Sequence, residues 1–116
     1  MDSKNQTQKR EIKFRAFDGN KVIDLHLDDW TFFNGTLCHR NAELYPVMEF
    51  INSKDRDGND VYEGDILEAP SGNRFLVKWY DDEMRWAMYT DNTWYNMNMA
   101  LHKVVGNIYE TPELLK

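Results

Sequence analysis

Cys38 is the only cysteine in this chain. It cannot form an internal bridge, which excludes a disulfide-stapled scaffold and every zinc motif built on several cysteines. No apolar run approaches the ~20 residues that span a bilayer, and the N-terminus lacks the apolar stretch of a signal peptide. Basic charge is scarce: 14 Lys and Arg stand against 20 Asp and Glu, a net of −6. Up to Gly58 there are nine basic and ten acidic residues, and from Asn59 onward five and ten. The acidity therefore belongs to the second half. Nucleic-acid binders carry a basic stripe that neutralises phosphates. Here the only basic concentration is Lys4, Lys9, Arg10, Lys13 and Arg15, which reads as a solvated tail feeding a first strand. A phosphate-cradling glycine loop and a nucleophile elbow are also missing. The expectation is a soluble cytoplasmic protein with no direct nucleic-acid or membrane partner, no cofactor and no metal.

What the chain does have is aromatic side chains: four Trp, six Tyr and six Phe in 116 residues, within a hydrophobic share of 41%. That is enough for the core of one domain that stands without disulfides. Residues 1–9 are polar and aperiodic and read as a flexible tail. Residues 11–17 alternate, with Ile12, Phe14 and Ala16 on one side and Lys13 and Arg15 on the other, the period of a half-buried strand. Asp18-Gly19-Asn20 turns the chain, and residues 21–27 return as the second strand of a hairpin. Residues 30–33 and 36–39 flank Asn34-Gly35, the strongest short-range hairpin signal. Residues 45–51 form a further strand, with Pro46 at its start.

A second β-rich series follows a polar loop at residues 53–60. Strands are expected at residues 65–69, 75–80, 84–89 and 104–109, while residues 94–101 are ambiguous between strand and helical turn. Gly106 inside the last strand suggests a bulge. Thr111-Pro112-Glu113 reads as the start of a short C-terminal helix. The expected fold is mainly β. N-terminal hairpins in residues 10–52 pack on a small SH3-like barrel in residues 61–116, as one compact unit. Its second-half core is expected to comprise Ile66, Phe75, Val77, Trp79 and Trp86, with Phe75, Val77 and Trp79 facing Met84, Trp86 and Met88 across a hairpin.

Motifs with chemical potential resolve into structural ones. Asp55-x-Asp57-Gly58 suggests a calcium loop, but counting from Asp55 the sixth residue is Asp60 and the twelfth Ile66, where the template wants Gly and Glu. An Asp-Gly turn accounts for the stretch. Glu63 and Asp65 flank Gly64 and resemble an acid–base pair. Gly64 instead implies an unusual backbone angle, with Asp65 bonding nearby N–H groups. Cys38 and His39 are neighbours in a strand and point to opposite faces, so they make no thiol–imidazole pair. His26, His39 and His102 show no zinc-site spacing. No catalytic residue is expected.

The blocks REIKFRAFD (residues 10–18), VMEFINSKDRDGNDVYEGDIL (47–67), VKW (77–79) and VVGNIYETPELL (104–115) occur in the order seen in the YopX family, which the chain resembles across most of its length. Val105 stands where that family commonly has Ile, and Thr111 where it commonly has Asn. Residues 25–45 match no family pattern. The resemblance implies a mainly β protein carried by a phage or prophage and made in a bacterial cytoplasm. It implies no activity, cofactor or catalytic residue.

Two functions from different classes fit these readings. The first is a non-enzymatic β-rich module that binds a host or phage protein, or a second copy of itself. Consecutive aromatics cannot all point inward from a strand, so its contact surface is expected at Trp30, Phe33, Trp86, Trp94, Tyr95 and Met97. The alternative is an acidic inhibitor that imitates DNA toward a host nucleic-acid enzyme, carried by Asp60, Glu63, Asp65, Asp81, Asp82 and Glu83.

Overall fold

The computed structural model describes residues 10–25, 30–33, 36–39 and 46–116, with side chains excepted at 30–33 and 36–39. The alternation read from the sequence becomes eleven described strands. They are β1 (Phe14–Phe17), β2 (Val22–Leu25), β3 (Trp30–Phe33), β4 (Thr36–His39), β5 (Val47–Lys54), β6 (Asp60–Tyr62), β7 (Asp65–Glu68), β8 (Arg74–Tyr80), β9 (Arg85–Thr90), β10 (Thr93–Tyr95) and β11 (Lys103–Asn107). They form a four-stranded sheet in the order β2-β1-β5-β6, a five-stranded sheet in the order β10-β9-β8-β7-β11, and the separate β3-β4 hairpin. In that hairpin Phe33 pairs with Thr36 and Trp30 with His39; Asn34 and Gly35 lie outside the described residues, as does the tail at 1–9. Among the described residues no helix is long and apolar enough to cross a membrane.

Turn chemistry sets the registers. Gly19 takes φ +101°, and Asp18 Oδ1 accepts bonds from the N–H groups of Asn20 and Lys21. Asp91 and Asn92 both adopt positive φ, which is what a two-residue hairpin turn demands. They join β9 to β10, with Thr90 opposite Thr93. The register shift in β11 falls between Val104 and Gly106, at the expected bulge.

The two larger sheets share a core. Ile51 and Val61 from the first pack with Leu67, Phe75, Val77 and Met88 from the second. On the opposite face of β5 and β6, Met48, Phe50 and Tyr62 form a second cluster with Val22 and Tyr109. Ile66, Phe75 and Val77 are buried as expected. Trp79 is a correction: it shares the face of Phe75 and Val77 and pairs with Trp86, yet it is 40% exposed. It stands at the far end of β8, where that face borders an open cleft, shared with Arg10 and with Glu49 of β5, instead of packed core. Met84 is a second correction. It terminates the short turn at Asp81–Glu83 in a left-handed conformation, outside β9, and is 72% exposed. The C-terminal helix is a single 3-10 turn, Pro112–Leu115. Thr111 does not cap it. Its hydroxyl instead accepts from the Asn107 N–H and donates to the Asn107 carbonyl.

That turn explains Gly106. A Cβ there would lie 2.0 Å from Thr111 Oγ1 and 2.8 Å from Leu114 Cδ1, so a side chain must displace the terminal turn. Gly106→Ala is expected to cost about 1–3 kcal/mol, the range of an overpacked site, measured by denaturant melts. A loss under about 0.5 kcal/mol, the scale of a neutral surface change, would show that the turn is not held against Gly106.

Candidate interaction surfaces and the joint between the sheets

The motif-like stretches meet at the joint between the two sheets. Gly64 takes φ +89° and places the chain so that its N–H donates to the Val77 carbonyl while its own carbonyl accepts from Ile108. Asp65 then enters β7 fully buried. Its Oδ2 accepts from the Tyr62 N–H at 2.8 Å, and its Oδ1 lies 2.7 Å from Arg15 Nη2 on β1. The Arg15 guanidinium sits 3.9 Å from the Tyr62 ring centroid, a cation–π contact. Arg15 Nε is buried without a hydrogen-bond partner among the described residues. Asp55 makes a second bridge. It accepts from the N–H groups of Asp57 and Asn59 within its own turn and from the Val104 N–H on β11. A third runs from Asn107, whose side chain donates to Glu110 Oε1 while Glu110 Oε2 accepts from the Val22 N–H at 2.9 Å.

The carboxylates of this region differ in their surroundings. Burial pushes Asp65 up to about 6, against the opposing pull of Arg15 and of the Tyr62 N–H. Burial, reinforced by the Glu49 charge, also raises Glu63, although a backbone hydrogen bond at Glu49 opposes it. Hydrogen bonds from Lys13 and Lys54, each at 2.6 Å, hold Asp60 below the ordinary carboxylate range. His102 is buried, with Nδ1 donating to the Asn98 carbonyl and its ring edge-on to Phe75.

Aromatic side chains gather on both faces of the β8-β9-β10 meander, half-buried on the outer one. On the outer face, Tyr80 and Trp94 stack with centroids 4.2 Å apart and planes 4° from parallel. Tyr89 meets Trp94 edge to face at 4.7 Å. Lys78 Nζ lies 4.6 Å from the Tyr89 centroid and 5.6 Å from that of Trp94, and Arg85 sits 5.4 Å from Tyr80. Register places Ala87 on this face opposite Lys78, and it is fully buried. A small residue there leaves room for the rings to meet above it. On the inner face, at the hairpin end, Trp79 and Trp86 pack edge to face at 5.2 Å. With Arg10, Glu49 and Glu63 they line a cleft of about 390 Å³.

The expected contact residues are therefore divided. Trp94 belongs to the outer face and Trp86 to the cleft. Tyr95 points inward, edge-on to Phe75, and is 43% exposed beside a groove at the C-terminal turn. Met97 packs half-buried against the core. Trp30 and Phe33 have their side chains outside the described residues. Tyr80, Tyr89 and Lys78 were not expected at the site; they follow from carrying the β8 alternation to its opposite face. The acidic residues are dispersed as well. Asp60 is neutralised by two lysines and Asp65 is buried. Glu63 lines the cleft, and Asp81, Asp82 and Glu83 form the β8–β9 turn, with Glu83 paired to Arg85 at 2.7 Å.

This mainly β chain belongs to the YopX family: the family model described as "YopX protein" matches residues 4–116. Its fold is similar to the crystal structure of protein EF1440 from Enterococcus faecalis. The TM-score is 0.65 at 23% identity, over 93% of this chain and all of that one. No curated protein matches the chain.

The Asp65 site generates a pH test. A folded-state value of about 6 against an ordinary 3.8 means the folded state holds this proton more tightly than the unfolded state. The contribution is fully present below about pH 4 and is lost as pH rises through 6. Asp65→Asn removes the titration. Its stability relative to wild type should rise by about 2–3 kcal/mol between pH 4 and pH 7, following ~1.4 kcal/mol per unit. Paired denaturant melts across that range give the slope. A fall instead would show that pairing with Arg15 outweighs burial.

Proposed function

We propose that this YopX-family chain is a non-enzymatic interaction module of a bacteriophage or prophage, acting in the bacterial cytoplasm by binding a protein. Its five-stranded sheet, a meander with β11 added beside β7, supports reading this half as an SH3-like scaffold. The observation that carries the reading is the outer face: Tyr80, Tyr89 and Trp94 form one interlocked array with Lys78 and Arg85 at its edge. Interface cores are enriched in Tyr, Trp and Arg, and such anchors dominate binding energy. Rings already held against one another lose little further freedom when a partner covers them. The basic rim suits a partner surface that carries carboxylates. The DNA-mimic alternative is weakened because Asp60 is paired with two lysines and Asp65 is buried against Arg15.

The test compares wild type with Trp94→Ala and Tyr80→Ala by affinity capture from bacterial host lysate, and by sedimentation for self-association. Both variants should stay folded and lose at least about tenfold in affinity for the partner or the second copy, as hot-spot truncations do. Equal capture and equal self-association by wild type and both variants would refute the aromatic-face reading.

A further inference from the structure

The cleft at the end of the β8–β9 hairpin has a different chemistry from the outer face. We infer that it is a recognition site for an arginine side chain of a partner polypeptide, received between the Trp79–Trp86 pair and the carboxylates of Glu49 and Glu63. The site lies on the opposite face of the sheet from Trp94, so it stands or falls independently of the aromatic-face reading.

Four observations carry it. The first is size: about 390 Å³ lies at the small end of ligand pockets and is ample for a side chain. The second is the wall. Tryptophan offers a cation the best aromatic face, and Trp79 keeps 40% of its surface exposed although its strand neighbours on that face are buried. The third is charge. Among the described residues no lysine or arginine forms an ion pair with Glu63, which is half-buried and raised by its burial and by the Glu49 charge. An arriving cation relieves both. The fourth is a precedent in the chain itself. Arg10 already places Nη2 2.7 Å from Glu49 Oε2 at the rim, yet its own side chain is 67% exposed. Exposed ion pairs of that kind are weak and displaceable. The chain's own guanidinium thus occupies one carboxylate and leaves the second, deeper one open. Arginine suits the site better than lysine. A planar guanidinium can lie against an indole while donating to two carboxylates, whereas an ammonium is a compact, strongly hydrated point charge.

The probe is the blocked peptide Ac-Gly-Arg-Arg-Gly-NH2, titrated into the full chain while the four indole N–H signals are followed by NMR. A matched peptide with citrulline in place of arginine keeps the shape and removes the charge. The arginine peptide should shift the Trp79 and Trp86 signals saturably and leave Trp94 in place, and the citrulline peptide should shift none. Glu63→Gln should weaken binding by about fivefold or more, the loss of roughly one charged hydrogen bond. Arg10→Ala should strengthen it by about twofold or more because the competing guanidinium is gone, while Lys21→Ala at an exposed turn, which alters net charge equally, should leave it unchanged. The citrulline comparison needs only wild-type protein, so a variant that fails to fold does not disable the test. Unmoved Trp79 and Trp86 signals, equal binding of the citrulline peptide, or weaker binding by Arg10→Ala would overturn the assignment.

Discussion

A buried carboxylate at the seam between two sheets governs this structure. Asp65 begins β7 in the second sheet, caps the Tyr62 N–H at the end of β6 in the first, and reaches Arg15 on β1. One side chain thereby fixes where the chain crosses from sheet to sheet. Gly64 makes the crossing possible, since its φ of +89° is open to glycine at little cost and a Cβ there would touch Met48 Sδ at 3.4 Å. The joint is not electrostatically ideal. Arg15 Nε is left without a partner, and burial outweighs pairing at Asp65. Buried ion pairs of this kind specify geometry more than they stabilise. Further long-range contacts support the joint: Asp55 to Val104, Glu110 to Val22, and the stack of Phe17 on Tyr109 at 5.6 Å.

This joint gathers the chain's central and C-terminal blocks and shapes the surfaces. The YEGD stretch and the VVGNIYET stretch meet at Gly64 and Ile108, and Asn107 pairs with Asp65 across the β11–β7 ladder. Their Gly and Asp residues hold backbone. The β8-β9-β10 meander extends beyond the shared core, and its rings organise themselves into the outer array and the Trp79–Trp86 cleft.

Local patterns were legible in the sequence. The Asn-Gly hairpin gave the bounds of β3 and β4, Gly106 marked the bulge, and alternation found β7, β8 and β9 to within a residue at most ends. Three features were not legible, each for a physical reason. Trp79 satisfies the alternation of a core residue, but periodicity reports which face a side chain takes and not whether anything covers that face. The β9–β10 turn uses Asp91-Asn92, a pair without glycine, so its positive φ values carry little signal. The bulge at Asn52, with φ 61° and both amide atoms bonded to the Glu11 backbone, depends on a segment 41 residues distant. The candidate surfaces were half legible for the same reason. Trp86 and Trp94 stood out by type, while their partners Tyr80, Tyr89 and Glu63 emerge only once register is known.

The central claim is that the joint makes both sheets one cooperative unit, on which the displayed aromatics depend. Native-state hydrogen exchange tests it most directly through two amides, Tyr62 N–H bonded to Asp65 and Val104 N–H bonded to Asp55. The account predicts that both exchange only through global unfolding, with the same free energy and denaturant dependence as the Val77 and Met88 amides in the core. Exchange of the joint amides through a smaller, denaturant-insensitive opening, while the core amides stay protected, would mean that the sheets separate locally and would contradict it.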